Sequence, residues 1–493
     1  MYQVSAWETY FKPFHDRIIG VDETFSGPYG EKKIIYADWT ASGRLDRKIE
    51  EKFLRDIYPI VANTHTDTNY TGSAMTRAYH HAMGIIKAHV HAGPDDVLIS
   101  SNSGMTGVVN KLQRILGFKL HEDFRNKVSL TPDERPVVFI THMEHHSNQT
   151  SWLETIAEVR IIDPDENGLV DLKHFAALLE EYRDRPLKIA AVTSCSNVTG
   201  IMTPYHTMAG MIHRAGGYCF VDFACSAPYI DINMHPDEQD EYLDAVYFSP
   251  HKFLGGPGAP GAVVFNKKLY HTSVPDHPGG GTVKWTDPWG YHLYLDDIEL
   301  REDGGTPAFL GTMRTALSIL LKEEMGTEQI AAREKEIMDM LWPRLKAITN
   351  LHILAGEIRE RLPVISFYID DLHYNLVVRM LNDRFGIQVR GGCACAGTYG
   401  HYLLYIDSQN SEEIANEILS GDFSHKPGWV RLSLHPTTTN DELEYILQSI
   451  ESLCLHASEW MEDYDCDLQH LEIRNKVLTT DPSEITARRL LQL

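Results

Sequence analysis

From about residue 95 to 265 the sequence repeats one pattern: a short apolar run, a polar or glycine-rich break, then an amphipathic stretch at helical spacing. Apolar runs lie at 97–99, 137–140, 189–192, 218–221, 245–248 and 262–265. Strands alternating with helices imply an α/β fold with a largely parallel sheet. Ligands of such sheets lie at the carboxyl ends of the strands. Ser103, His145, Asn197, Asp222 and Lys252 each follow an apolar run, so a single crevice is expected to hold them.

Lys252 is the least ordinary of these. It stands between the run 245–248 and the turn Gly255-Gly-Pro-Gly258. Charged residues belong at surfaces, so a solvated loop lysine is the plain alternative. A partly buried lysine, however, shifts its pKa readily and suits Schiff-base chemistry. Asp222 closes the preceding run. A pyridoxal phosphate (PLP) enzyme needs a lysine for the aldehyde and a carboxylate for the pyridinium nitrogen. The order and spacing of Asp222 and Lys252 fit that need. The segment Phe248-Ser-Pro-His-Lys-Phe-Leu-Gly-Gly-Pro257 resembles the lysine signature of the class V aminotransferase group of fold-type I PLP enzymes, and most of all its cysteine desulfurases and selenocysteine lyases.

The resemblance spans roughly residues 34–455 and assigns roles in order. Ser103-Gly-Met-Thr106 matches the turn that binds the PLP phosphate. A helix N-terminus there would offer unpaired N–H groups and a favourable dipole. Ser249 and His251, within the lysine signature, join the cofactor set. Glu144-His-His-Ser-Asn148 resembles the motif whose first histidine, here His145, stacks on the PLP ring and moves a proton. A metal reading of that cluster is weak, because adjacent histidines diverge. Asn197 matches the asparagine that bonds the cofactor's ring oxygen and borders the substrate. Thr306, in Gly304-Gly-Thr-Pro307, matches a threonine that reaches the phosphate of another subunit, which implies a homodimer. Lys252 would hold PLP, and Lys252 or His145 would take the substrate α-proton. His65, in the polar segment 62–69, is a further histidine candidate, with an ordinary loop histidine as the alternative.

Gln388-Val-Arg-Gly-Gly-Cys-Ala-Cys-Ala-Gly397 carries two cysteines two residues apart. Metal binding and inert packing compete with a thiolate nucleophile beside a cation, either Arg390 or His401. The family pattern Arg-x-Gly-x-x-Cys-Ala puts the nucleophile at Cys395, with Cys393 where histidine is common. Arg431 matches the arginine that clamps a substrate carboxylate, a task suited to a planar fork. Four departures stand out. Trp39 replaces a usual Asn, Met105 a Thr and Cys225 a Gln, and residues 402–426 form an insertion.

At 493 residues the chain exceeds one small domain. The expected division is an N-terminal segment, 1–33, on the small domain; a large PLP-binding domain, 34–315; a small α+β domain, 316–455; and a helical C-terminal extension, 456–493. A net charge of −24 argues against nucleic acid or an anionic membrane as partner. No apolar run spans a bilayer, no signal peptide is recognisable, and seven cysteines argue against a disulfide framework. A cytoplasmic enzyme is therefore expected. Its implied activity is removal of sulfur from L-cysteine, with a persulfide on Cys395, an alanine product and a sulfur-acceptor protein. The alternatives are a PLP lyase, transaminase or epimerase with Cys395 incidental, and a non-catalytic scaffold on the same fold.

Overall fold

The computed structural model describes residues 5–125, 127–478 and 481–492. They gather into two compact units, one of 42–196 and 202–327, the other running up to 41 and adding 197–201 and 328 onward.

The larger unit is built on a seven-stranded sheet. Its order is Asp96–Ser101, Gly261–Asn266, Ala245–Phe248, Tyr218–Asp222, Lys188–Thr193, Val137–Thr141, Glu158–Ile162. Gly261–Asn266 runs antiparallel to both neighbours, and the other pairings are parallel. Successive side chains of each strand enter opposite cores. Phe139, Val192, Val221 and Phe248 pack on one face, and Ile140, Ala191, Phe220 and Tyr247 on the other. A sheet buried on both faces needs apolar residues at every position, which is why these strands read as continuous runs. Helices Tyr70–His89 and Phe309–Met325 pack against each other in this unit. Phe309–Met325 therefore stays with the larger unit, and the division falls after Thr327 rather than at 315.

The smaller unit carries an antiparallel four-stranded sheet, in the order Leu351–Ile353, Val364–Ile369, Trp429–Ser433, Arg390–Gly392. Helices Tyr374–Phe385 and Asn440–Trp460 pack together in the same core. Ile35–Tyr36 pairs in parallel with Ile387–Gln388, and Asp38 bridges to Ser433. Those backbone pairings draw residues 34–41 into this unit instead of the larger one. Helix Ala6–His15 joins it through Ser5, whose hydroxyl donates to Glu336, and Glu8, which accepts from the Asn440 N–H.

Within the N-terminal segment, Thr24–Gly27 and Gly30–Lys33 form a hairpin. The C-terminal extension is not wholly helical: Tyr464–Asp467 pairs with Glu472–Asn475 before the helix Pro482–Leu490. Both hairpins are largely exposed and polar, so they lack the apolar alternation that marks a half-buried strand. The insertion contains the amphipathic helix Ser408–Leu419. No helix among the described residues is long and apolar enough to cross a membrane.

Candidate active site

In the larger unit, Asp222 ends one parallel strand and Lys252 lies just past its neighbour. Asp222 pairs in register with Tyr247, and Lys252 follows through the short turn Ser249-Pro-His. The Lys252 N–H donates to the Ser249 carbonyl at 3.0 Å. The glycines after it are there for space. A Cβ on Gly256 would lie 2.0 Å from the Pro250 oxygen, a separation no side chain tolerates. Lys252 is half-buried, not a solvated loop residue.

Asp222 is 3 % exposed, and its carboxylate accepts the Ala224 N–H at 2.8 Å. Burial pushes its pKa up to about 6, while that hydrogen bond and the Lys252 charge pull it down. Such a carboxylate gains from a cation placed against it. His251 is pushed down to about 4 by burial and by its neighbour Lys252, so it is neutral near pH 7.

His145 caps the helix His146–Leu153, its Nδ1 accepting the Ser147 N–H at 3.1 Å. In the neutral ring that leaves the proton on Nε2. The residue before it was not singled out from the sequence, yet Glu144 sets this corner. Oε1 accepts the Thr141 hydroxyl at 2.7 Å and the Thr193 N–H at 2.8 Å, and Oε2 accepts the Asn148 amide at 2.8 Å. Burial raises the Glu144 pKa to about 7 against those bonds. Glu144 thus ties two strand ends together beside His145.

The turn ahead of helix Gly104–Ile115 is formed by Ser103 and Gly104, both left-handed at φ 72° and 62°. The Ser103 side chain makes no capping bond. The Met105 N–H donates to Ser249 Oγ at 2.8 Å, and a Cβ on Gly104 would sit 3.0 Å from that oxygen. Thr106 Oγ1 lies 2.7 Å from Ser147 Oγ. The structure therefore brings Ser103, Gly104, Met105, Thr106, Ser249 and His251 together. The Met105 side chain itself is buried in the core, so only its backbone belongs to the turn. Cys225 is buried, its Sγ directed at the Ser196 carbonyl at 3.7 Å. Thr306 is exposed. His65, left-handed at φ 62°, packs its ring on the Gly281 turn.

Asn197 belongs to the smaller unit. There it belongs to a second cluster. Its Nδ2 donates to the Ala394 carbonyl at 2.7 Å, and its Oδ1 is buried with no partner among the described residues. Arg431, 3 % exposed, donates from Nη1 to the Asn197 carbonyl at 3.2 Å and from Nη2 to Asp38 Oδ1 at 2.7 Å. Its Nε is likewise buried and unpartnered. Arg390 Nε reaches the other Asp38 oxygen at 3.1 Å. Arg390 thus serves Asp38, and His401 is held by the Gly397 carbonyl and Ser411 Oγ, each at 2.8 Å. Asp38, two residues past the strand Ile35–Tyr36, is the carboxylate that Arg431 and Arg390 share.

Cys395 is exposed, at the third position of a reverse turn closed by the Ala396 N–H on the Cys393 carbonyl at 3.0 Å. Ala394 and Cys395 are left-handed at φ 50° and 58°. Two consecutive non-glycine residues in that region are strained, and such strain collects at functional sites. Trp39, one of the sequence departures, is buried and stacks on His435 at 4.2 Å between centroids, which makes it a packing residue.

The model of the family described as aminotransferase class-V matches residues 35–446. The chain belongs to that family. Among curated class-V relatives, a cysteine desulfurase of Haloferax volcanii is 24 % identical over 400 residues, covering 78 % of this chain and 86 % of the relative. A probable cysteine desulfurase of Halalkalibacterium halodurans is 27 % identical over 369 residues, 74 % of this chain and 84 % of the relative. Among solved structures, the apo cysteine desulfurase of Thermococcus onnurineus NA1 superposes with a TM-score of 0.71 at 20 % identity, over 92 % of this chain and 99 % of that one. The Escherichia coli cysteine desulfurase CsdA gives 0.68 at 19 %, over 91 % and 98 %. Class-V proteins are PLP-dependent enzymes, and the chain is an enzyme of that kind. The donor set of the larger unit fits the cofactor: a half-buried lysine, a buried carboxylate with a raised pKa, and a left-handed turn opening a helix.

Proposed function

We propose that this class-V enzyme is a PLP-dependent cysteine desulfurase, taking sulfur from L-cysteine and leaving alanine. PLP, when bound, supplies the electron sink at the substrate α-carbon. Lys252 would bond its aldehyde, Asp222 would hold the ring nitrogen as a cation, and Asn197 would bond the ring oxygen. Ser103, Gly104, Met105, Thr106, Ser249 and His251 would hold its phosphate. His145, with its proton on Nε2, would lie on the ring, and Lys252 or His145 would move the α-proton. Arg431 would take the substrate carboxylate. Cys395 would attack the substrate sulfur, so that the carbon–sulfur bond breaks and a persulfide forms on Cys395. A sulfur-acceptor protein would then remove that sulfur. Thr306 would act on the phosphate of a second subunit in a homodimer. The seven free thiols support a reducing, cytoplasmic setting.

The observation that carries this reading is the exposed Cys395 on a strained turn. Asn197 anchors that turn at the Ala394 carbonyl and bonds Arg431 through its own carbonyl. A sulfur-release assay on L-cysteine with Cys395→Ala tests it. Loss of sulfide and alanine formation is expected, and turnover equal to the parent enzyme would overturn the mechanism. One observation favours a second reading, a PLP lyase, transaminase or epimerase for another amino acid. Cys225 stands where the family has a Gln and faces the Ser196 carbonyl. That reading predicts activity toward other amino acids that Cys395→Ala leaves intact.

A further inference from the structure

The insertion after Cys395 builds something. Helices Gly397–Leu403 and Ser408–Leu419, together with residues 426–429, line a half-open pocket of about 190 Å³. Ile414, Ala415, Ile418 and Trp429 supply its apolar lining, and Lys426 also borders it. The thiol that opens onto it is Cys393, half-buried, while Cys395 is exposed. His401 also lines the cavity, with Nδ1 donating to a carbonyl and Nε2 bonded to Ser411 Oγ. Lys426 is the cationic residue of this lining, its Nζ over the Phe423 ring at 5.6 Å, and an apolar pocket with a cation nearby suits a soft anion such as a persulfide. Cys393 and Cys395 are the first and third residues of one reverse turn. Two residues apart, their Cα atoms cannot lie farther than about 7.6 Å, and a turn shortens that toward the range in which two sulfurs meet.

We propose that Cys393 is a second sulfur station. The Cys393 thiolate attacks the outer sulfur of a Cys395 persulfide. The old sulfur–sulfur bond breaks, a new one forms on Cys393, and the electron pair leaves with Cys395 as its thiolate. No sulfur changes its oxidation level in the exchange as a whole, and no outside oxidant or reductant is needed. The sulfur then sits in the half-open pocket, less exposed to external nucleophiles than on Cys395, and returns to the exposed Cys395 by the reverse step.

This rests on the desulfurase reading for its natural sulfur source, so the test loads sulfur in two ways. The full-length, PLP-loaded enzyme is treated with L-cysteine or with inorganic polysulfide, alkylated, digested and mapped by mass spectrometry. Extra sulfur is expected on both Cys393 and Cys395 from either source. In C395S, polysulfide alone should label Cys393. In C393S, the Cys395 persulfide should be lost to cyanide about tenfold faster than the parent's sulfur, because the remaining site is exposed. A415F fills the cavity but keeps the thiol, and it should show the same loss. Sulfur confined to Cys395 under both loadings, unchanged cyanide sensitivity in C393S, or a Cys393–Cys395 disulfide with release of sulfide would overturn the station. Labelling of Cys393 by polysulfide but of neither cysteine by L-cysteine would support the station and refute the desulfurase reading instead.

Discussion

The two units hold their chemical groups in opposite ways. In the larger unit, Asp222 ends one strand and Lys252 follows its neighbour, both strands being buried on both faces, and a side chain at Gly256 would run into the Pro250 carbonyl. In the smaller unit, Cys395 sits exposed on a turn of two left-handed residues. A cofactor that stays benefits from rigid strand ends. In the proposed reaction the thiol takes sulfur from one molecule and hands it to another, a task that exposure suits. Arg431 lies between these extremes. It is buried on a strand, yet its Nε has no partner and its Nη2 is held by Asp38, itself shared with Arg390.

Substitutions can break that contrast at either end. The largest effect is expected from K252A. Turnover should fall by roughly 10²–10⁴-fold, as for loss of a proton-transfer group, and the near-visible cofactor absorption should be lost as well. Persistence of that band would contradict the role of Lys252. D222N comes next, with a fall of roughly 10²–10³-fold in kcat for loss of one electrostatic partner. Its stability should also separate from the parent's as pH rises. In the folded protein Asp222 is protonated up to about pH 6, whereas in the unfolded chain it ionises near its ordinary value of 3.8. Below both values burial carries no ionisation penalty. Between them the unfolded state loses a proton that the folded state keeps, so stability falls as pH rises. Without its cofactor, the parent should therefore lose about 3 kcal/mol relative to D222N between pH 4 and 6. Denaturant melts of the two at pH 4 and pH 7 measure this, and a constant difference would remove the basis for Asp222 as a cation's partner.

At the other end, R431K should raise KM about tenfold or more with a smaller change in kcat, because a lysine cannot reproduce the fork. D38N should do the same more mildly, since it weakens one charge-assisted bond that orients Arg431. A kcat effect larger than the KM effect in either variant would place Arg431 elsewhere in the reaction. The smallest change is expected from S249A, which leaves the Met105 N–H without its acceptor. Binding of PLP to the apo protein should weaken by about 1 kcal/mol, read as a several-fold rise in Kd by absorbance titration.

How far the sequence could be read follows the same divide. The central strands of the larger sheet are largely apolar, and Ala245–Phe248 begins and ends where the apolar run does. Lys252, Asp222 and the Ser103 turn each follow such a run, so order along the chain located them. The smaller unit's cluster depends on pairings far apart in sequence. Asp38 meets Arg431 and Arg390 only because the start of the chain bridges onto the strand Trp429–Ser433. No local pattern announces that, and Arg390 accordingly read as a companion of the thiol rather than of Asp38. Glu144 was hidden differently: in the motif Glu144-His-His-Ser-Asn148 the role fell to His145, whereas the Glu144 carboxylate ties strand ends. The exposed hairpins at Thr24–Lys33 and Tyr464–Asn475 left little trace, because a polar two-stranded ribbon has no buried face to pattern it.

The division of labour between the units is tested most directly by the absorbance of PLP-loaded Cys395→Ala during addition of L-cysteine. The cofactor band should be retained and should change on addition of the amino acid, as in the parent, while no alanine or persulfide forms. Alanine formation at the parent's rate would contradict the account.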